Sequence, residues 1–319
     1  MPIIAIDAMG GDKGPSIIIP AALRVLRQHA DLKFIFVGQD NILRERLSRA
    51  HDLENRFEIQ PASEVVAMDE SPALALRNKK DSSMRVAIDC VKAGRAQACV
   101  SAGNTGALMA TAKFVLKTLP DIDRPAIMAR LPTKTGRDTM MLDLGANVDS
   151  TPEQLLQFAV IATRVARAAD GIQHPSVALL NIGSEEIKGN EQVKKAAELF
   201  SASADIHYKG FIESDDIFSG TTDIVVCDGF VGNAVLKGCE GIAKLIGHYV
   251  GAEIKQHWWR KLMVLPILPI LYRVKKKVDP RQRNGASLLG LNGIVIKSHG
   301  SADKVAFACA IERALAEIV

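Results

Sequence analysis

Short apolar runs, each closed by a polar or glycine-rich turn and followed by a helical pattern, set the plan of this chain. Residues 3–6 form an apolar strand that runs into Asp7-Ala8-Met9-Gly10-Gly11-Asp12, and a helix follows over 16–28 with Pro15 in its first turn. Residues 34–37 repeat the form, closed by Gly38-Gln39-Asp40 and followed by an amphipathic helix over 41–50. Residues 62–84 break the rhythm. Ser71-Pro72 and the polar cluster from Arg77 to Ser83 predict a loop or short helix, lying over a site or merely solvated. A helix over 84–94 then leads to a strand ending at Ser101, the turn Ala102-Gly103-Asn104-Thr105-Gly106, and a further helix.

In the second half, 126–131 and 140–144 pair as strands around 132–137, a hairpin. A helix from Thr151 or Pro152 to Ala169 has a capping start. Apolar strands at 177–180, 223–227 and 294–296 end in turns bearing Asn181, Asp228 and His299, and a last helix runs to the C-terminus. Strands alternating with helices predict a mostly parallel, doubly wound α/β sheet in three layers, and no fixed-period repeat suggests a solenoid. Residues 1–319 are expected to form one α/β domain, in one body or two lobes.

Ligands of such sheets gather at the carboxyl ends of the strands. If all the strand ends converge, one crevice collects Asp7, Gly10, Gly11, Ser101, Asn104, Thr105, Asp143, Asn147, Asn181, Lys188, Asp228, Asn233, His299 and Ser301. The Ser101–Gly106 turn offers small side-chain donors beside the unpaired amides of a helix start. That suits an anion, although the same residues also serve simply to cap helices. The inventory lacks the GxGxxG dinucleotide fingerprint, the GxxxxGK[ST] phosphate loop and the GxSxG elbow.

Composition adds two points. Hydrophobic residues at 48% and charged residues at 24% place the chain among soluble globular proteins, and its five cysteines stand singly without zinc spacing, which predicts a reduced, cytoplasmic setting. The start shows no basic stretch followed by an apolar run, so it is expected to be a strand and not a signal peptide. The net charge of +4 is unevenly placed: residues 255–283 carry nine Lys or Arg against Asp279 alone, leaving −4 for the rest. A long helix over 237–262 leads there into an apolar stretch at 262–271, where Pro266 and Pro269 are expected to break regular helix. Ten apolar residues are about half of the roughly 20 a spanning helix needs. Trp258, Trp259, Leu265, Leu268, Lys275 and Lys276 therefore predict a projecting tip, within 237–285, that rests on an anionic membrane surface. A dimer interface and a docking patch for an acidic partner are the other readings of these charges.

Taken together, Asp7–Asp12, Ser101-Ala102-Gly103-Asn104-Thr105-Gly106, Leu142-Asp143-Leu144-Gly145-Ala146-Asn147, Asn181-Ile182-Gly183-Ser184-Glu185-Glu186 with Lys188-Gly189, and Cys227-Asp228-Gly229-Phe230-Val231-Gly232-Asn233 resemble the bacterial phosphate acyltransferases of phospholipid synthesis, over essentially the whole chain. The resemblance implies a fold related to phosphotransacetylase and the isopropylmalate dehydrogenase group, a homodimer and no cofactor. It implies transfer of a long-chain acyl group from acyl-acyl-carrier protein to inorganic phosphate, giving acyl phosphate. It further implies hand-off to a membrane acyl-phosphate-dependent glycerol-3-phosphate acyltransferase, from a cytoplasmic enzyme held peripherally at the inner face of the membrane. No nucleic acid or metal is implied.

The chemistry suits the inventory. Phosphate is already anionic, and the thiolate leaving group is fairly stable, its thiol titrating near about 8.5. The protein must position phosphate and stabilise the tetrahedral oxyanion. Asn104, Thr105 and the neighbouring amides are the candidates for phosphate, with Asp7, Gly10, Gly11, Ser101, Asn147 and Asn181 shaping the site. Lys188 is the candidate cation and Asn233 a further donor; otherwise Lys188 is a surface lysine at a helix start. His299 either protonates the thiolate or caps a helix. Two other functions stay open: a decarboxylating dehydrogenase of the related fold, and a non-catalytic membrane-associated scaffold.

Overall fold

The structure, a computed structural model, describes residues 1–257, 260 and 263–318, and of residues 275, 276 and 278 the backbone only. The first half runs β1 (Ile3–Asp7), α1 (Pro15–Gln28), β2 (Lys33–Gly38), α2 (Asp40–Leu47), β3 (Phe57–Pro61), α3 (Pro72–Asn78), α4 (Ser83–Lys92), β4 (Ala98–Ser101) and α5 (Thr105–Leu116). The hairpin β5 (Ala126–Pro132) and β6 (Asp138–Leu142) leads into α6 (Pro152–Asp170), β7 (Ser176–Leu180), α7 (Glu191–Ala202), β8 (His207–Ile212) and β9 (Ile224–Val226). The chain closes with α8 (Gly229–Gln256), α9 (Leu268–Val278), β10 (Ala286–Leu289), β11 (Ile294–Lys297) and α10 (Lys304–Glu317).

One eleven-stranded sheet carries these strands in the order β3-β2-β1-β4-β11-β10-β5-β6-β9-β7-β8. The α/β class and the mostly parallel, layered sheet are as expected. Helices cover both faces because the strands are apolar on both: Ile4, Ile6 and Val100 face α1 and α10, whereas Ala5 and Cys99 face α4 and α5. In the second half Met140 and Leu142 pack under α6 and α7, and Met141 and Val225 face the start of α8. α6 begins at a capping box in which Thr151 and Gln154 each bond the other's backbone amide.

Two features depart from the sequence expectation. The strands β3, β8 and β10 were not expected: β3 and β8 are the half-exposed sheet edges, with no continuous apolar run, and β10 is four residues behind the basic segment. α8 starts at Gly229, not at 237, because Asp228 caps it by accepting from the amide of Val231, so Asn233 lies on a helix. Regular helix is interrupted at the prolines as expected: Pro266 stands in a short 3-10 turn at Leu265–Ile267 and Pro269 in the first turn of α9, where the missing amide costs nothing.

Beyond its first turns α8 is largely exposed, with Ile242, Leu245, Ile246, Tyr249 and Val250 open at helical spacing. Leu265 and Leu268 are 55% and 47% exposed beside exposed Met263, Ile270 and Tyr272. Trp258 and Trp259 lie outside the described residues, as do the side chains of Lys275 and Lys276. No described helix is long and apolar enough to cross a membrane.

Candidate functional site

The ends of β1, β4 and β11 bring polar groups side by side. Ile6 pairs with Val100 and Val100 with Ile296, so the next residues, Asp7, Ser101 and Lys297, form one row across three parallel strands. Asp7 and Ser101 are fully buried. The Ser101 hydroxyl donates to Asp7 Oδ2 at 2.6 Å and accepts from the Gly103 amide at 3.0 Å, which fixes the turn leaving the strand. Burial pushes the Asp7 carboxyl up from its ordinary range, opposed by hydrogen bonds from Ser101, Ser83 and the amides of Met9 and Gly10. Only glycine fits at position 10, where an added Cβ would stand 2.6 Å from Asp7 Oδ2 and 2.7 Å from the Gly103 nitrogen. Gly11 lies at φ 82°, and the next amide, of Asp12, bonds the Gly300 carbonyl at 2.9 Å, joining the first turn to the last.

Asn104 caps α5 by accepting from the Ala107 amide at 3.0 Å, and its own amide donates to the carbonyls of Met68 and Glu70. The irregular segment before α3 is thereby tied to the mouth of this turn, and the Lys79–Glu70 ion pair at 2.7 Å holds it from within. Thr105 and Gly106 are exposed in the first turn of α5. Amides there have no intrahelical acceptor, and the helix dipole favours an anion beside them.

A second group surrounds the end of β6. Asp143 is fully buried and accepts from the amides of Ile127, Ala146 and Asn147 and from the Asn147 side chain; burial raises its carboxyl, and those bonds oppose the rise. Asn147 spends its other amide hydrogen on the Pro125 carbonyl at 2.9 Å, so it braces this turn from inside. Gly229 and Gly232 seat α8 directly on the turn, and Asn233 is exposed against Gly145. At the end of β7, beyond β9, Asn181 closes its loop by donating to the Lys188 carbonyl and accepting from the Ile182 amide. Lys188 lies over Gly183, half-exposed, and its ammonium pairs with Glu185 at 2.7 Å; that carboxylate, with more distant Glu213, raises its pKa. It precedes α7 and does not begin it, since Asn190 supplies the cap.

The candidate residues therefore come from two sets of strands that run in opposite directions. β10 is antiparallel to both β11 and β5, and β5 is antiparallel to β6, so β6, β9, β7 and β8 run opposite to β1, β4 and β11. The turns holding Asp7, Gly10, Gly11, Ser101, Asn104, Thr105 and His299 end one set of strands, and those holding Asn147, Asn181 and Lys188 end the other. α8 connects them. Asn233 touches the second group, while Lys237, one turn later on the same helix face, lies near enough to Lys297 and His299 to act on their charge.

His299 is exposed, and its ring accepts from the Ser301 amide at 3.2 Å and meets the Ser301 hydroxyl at 2.9 Å. Partial desolvation, then Lys237, Lys297 and Lys244, lower its pKa against the pull of Glu240, which favours the neutral ring. Asp303, not His299, caps α10, accepting from the amides of Val305 and Ala306.

Sequence reasoning missed Lys297. Its signal is a lysine closing the apolar run Ile294-Val295-Ile296, where strand alternation places it on the buried Val295 face.

The comparisons agree with this architecture. A family model described as "Fatty acid synthesis protein" matches residues 3–318. A phosphate acyltransferase of Coxiella burnetii is 57% identical over 317 residues, 99% of this chain and 92% of the relative. One of Alcanivorax borkumensis is 58% identical over 320 residues, 99% of this chain and 94% of the relative. Among solved structures, a phosphotransacetylase from Streptococcus pyogenes superposes with a TM-score of 0.65 over 99% of this chain and 93% of its own; at 18% identity, the likeness concerns the fold.

Proposed function

Since the chain belongs to the phosphate acyltransferase family, we propose that it moves a long-chain acyl group from acyl-acyl-carrier protein to inorganic phosphate by direct attack on the thioester. The observation that carries this is the end of β1, β4 and β11, where a buried lysine, close-packed glycine turns and the amides opening α5 meet. Such a place holds an anion by charge and backbone donors. Phosphate needs no base to become a nucleophile, so positioning it against the carbonyl supplies most of the rate. Asn104 holds the segment over the mouth, Thr105 and Gly106 offer amides, and Lys188 and Asn233 stabilise the developing oxyanion. Incubation with palmitoyl-carrier protein tests the proposal: free carrier thiol should appear with phosphate and not without it, whereas phosphate-independent release would contradict it.

The cysteines support direct transfer. Burial raises the thiols of all five, Cys90, Cys99, Cys227, Cys239 and Cys309, away from the reactive thiolate. A variant with all five replaced by alanine or serine is expected to keep appreciable turnover once folded; isolation of a competent acyl-enzyme would exclude the direct route.

The exposed apolar side chains at the tip support peripheral attachment to an anionic bilayer, with product handed to a membrane acyltransferase. A homodimer would cover the apolar stripe of α8. Leu265→Glu combined with Leu268→Glu should release the protein from anionic liposomes while phosphate-dependent transfer in solution persists. Undiminished liposome binding by that variant would remove the tip from the account.

A further inference from the structure

Lys297 is 8% exposed, and among the described residues its ammonium has a single hydrogen-bond acceptor, the carbonyl oxygen of Ser298. An ammonium carries three donors, and burying it with donors left over is costly unless an anion completes the site. The buried carboxylate in its row does not complete it by hydrogen bonding: Asp7 gives Oδ2 to the Ser101 hydroxyl and Oδ1 to the Met9 amide. Charge reaches Lys297 from every side. Asp7 on β1 and Asp12 in the following turn favour its charged form, Lys237 on α8 opposes it, and His299 stands two residues away.

We propose that Lys297 is a catalytic residue of the acyl transfer: its ammonium binds inorganic phosphate at the ends of β1, β4 and β11 and stays on it through the attack. A phosphate oxygen forms the bond to the thioester carbon and the carbon–sulfur bond breaks. The sulfur leaves with the electron pair and takes the proton that hydrogenphosphate gives up on becoming acyl phosphate, so Lys297 keeps its own proton throughout. The inference rests on the phosphorolysis reading above. Desolvation lowers the Lys297 pKa to about 8 from an ordinary 10.5, so the cation is present below pH 8 and is lost above it.

The test combines calorimetric titration with inorganic phosphate and steady-state rates from pH 6.5 to 9.5. In the unaltered protein, phosphate affinity and kcat/KM, each expressed per hydrogenphosphate, should hold up to about pH 8 and then fall roughly tenfold per pH unit as the ammonium deprotonates. Lys297→Met should weaken phosphate binding by on the order of a hundredfold at pH 7, the loss expected for one positioned donor. Lys297→Arg should retain binding and lose the alkaline fall, because a guanidinium stays charged. Phosphate binding by Lys297→Met within threefold of the unaltered protein, or an alkaline fall unchanged in Lys297→Arg, would overturn the inference and leave Lys297 as a buried counterion of Asp7. If Lys297→Met fails to fold, the arginine variant decides. Phosphate binding through Lys297 without thioester cleavage would reject the phosphorolysis reading alone.

Discussion

Gly232→Ala is expected to cost about 3 kcal/mol of stability, the upper range for overpacking, and to abolish most activity with it. An added Cβ would stand 1.9 Å from the Asp143 carbonyl oxygen and 2.9 Å from Cys227 Sγ. The closer clash is with backbone, so no side-chain rotation relieves it. α8 would have to lift from the 143–147 turn, losing the 2.9 Å bond from the Gly229 amide to the Asn147 carbonyl and carrying Asn233 away from Gly145. Gly238→Ala on the same helix supplies the contrast: outside its own stretch of helix no described atom lies within 4 Å of an added Cβ, and the better helix propensity of alanine should add about 0.5–1 kcal/mol. Denaturant unfolding of both variants checks the pair. Equal stabilities would mean that α8 does not seat on the turn as described.

Lys188→Ala should lower turnover by on the order of a hundredfold, the loss seen when one donor to a developing oxyanion is removed. Folding should survive, since the ion pair with Glu185 is about half-exposed on both sides and such pairs contribute about 1 kcal/mol at most. The pairing itself matters to the argument. Glu185 holds the ammonium folded over Gly183, and an arriving oxyanion must draw it away. Glu185→Gln is therefore expected to leave much more activity than Lys188→Ala. Near-normal rates in Lys188→Ala at saturating phosphate would return the lysine to an ordinary surface role.

Most of the fold was legible because its central strands are continuous apolar runs closed by glycine and Asx turns, as at residues 3–6 and 177–180. The edge strands β3 and β8 were not, because half-exposed strands carry no such run. The reversal between β5 and β6 was legible as a hairpin, but the place of β10 was not. It depends on pairing between segments more than 100 residues apart, such as Ser287 with Met128, and it distributes the expected residues over two opposed sets of strand ends. Asp7, Ser101 and Asn104 were legible as turn residues, but the roles of their side chains emerge only with their partners: Ser101 bonds Asp7 across 94 residues, and Asn104 reaches back to Met68. Lys297 was passed over because a lysine ending a strand looks solvated in one dimension; alternation with Val295 hinted at its face, and the register with Ser101 places it inside.

The central claim is that acyl transfer to phosphate yields a free acyl phosphate. Palmitoyl-carrier protein incubated with the enzyme and phosphate, then treated with hydroxylamine at neutral pH, should give palmitoyl hydroxamate in amount equal to the carrier thiol released, and none when phosphate is omitted. Release of carrier thiol with free palmitate and no hydroxamate would identify a thioesterase and contradict the account.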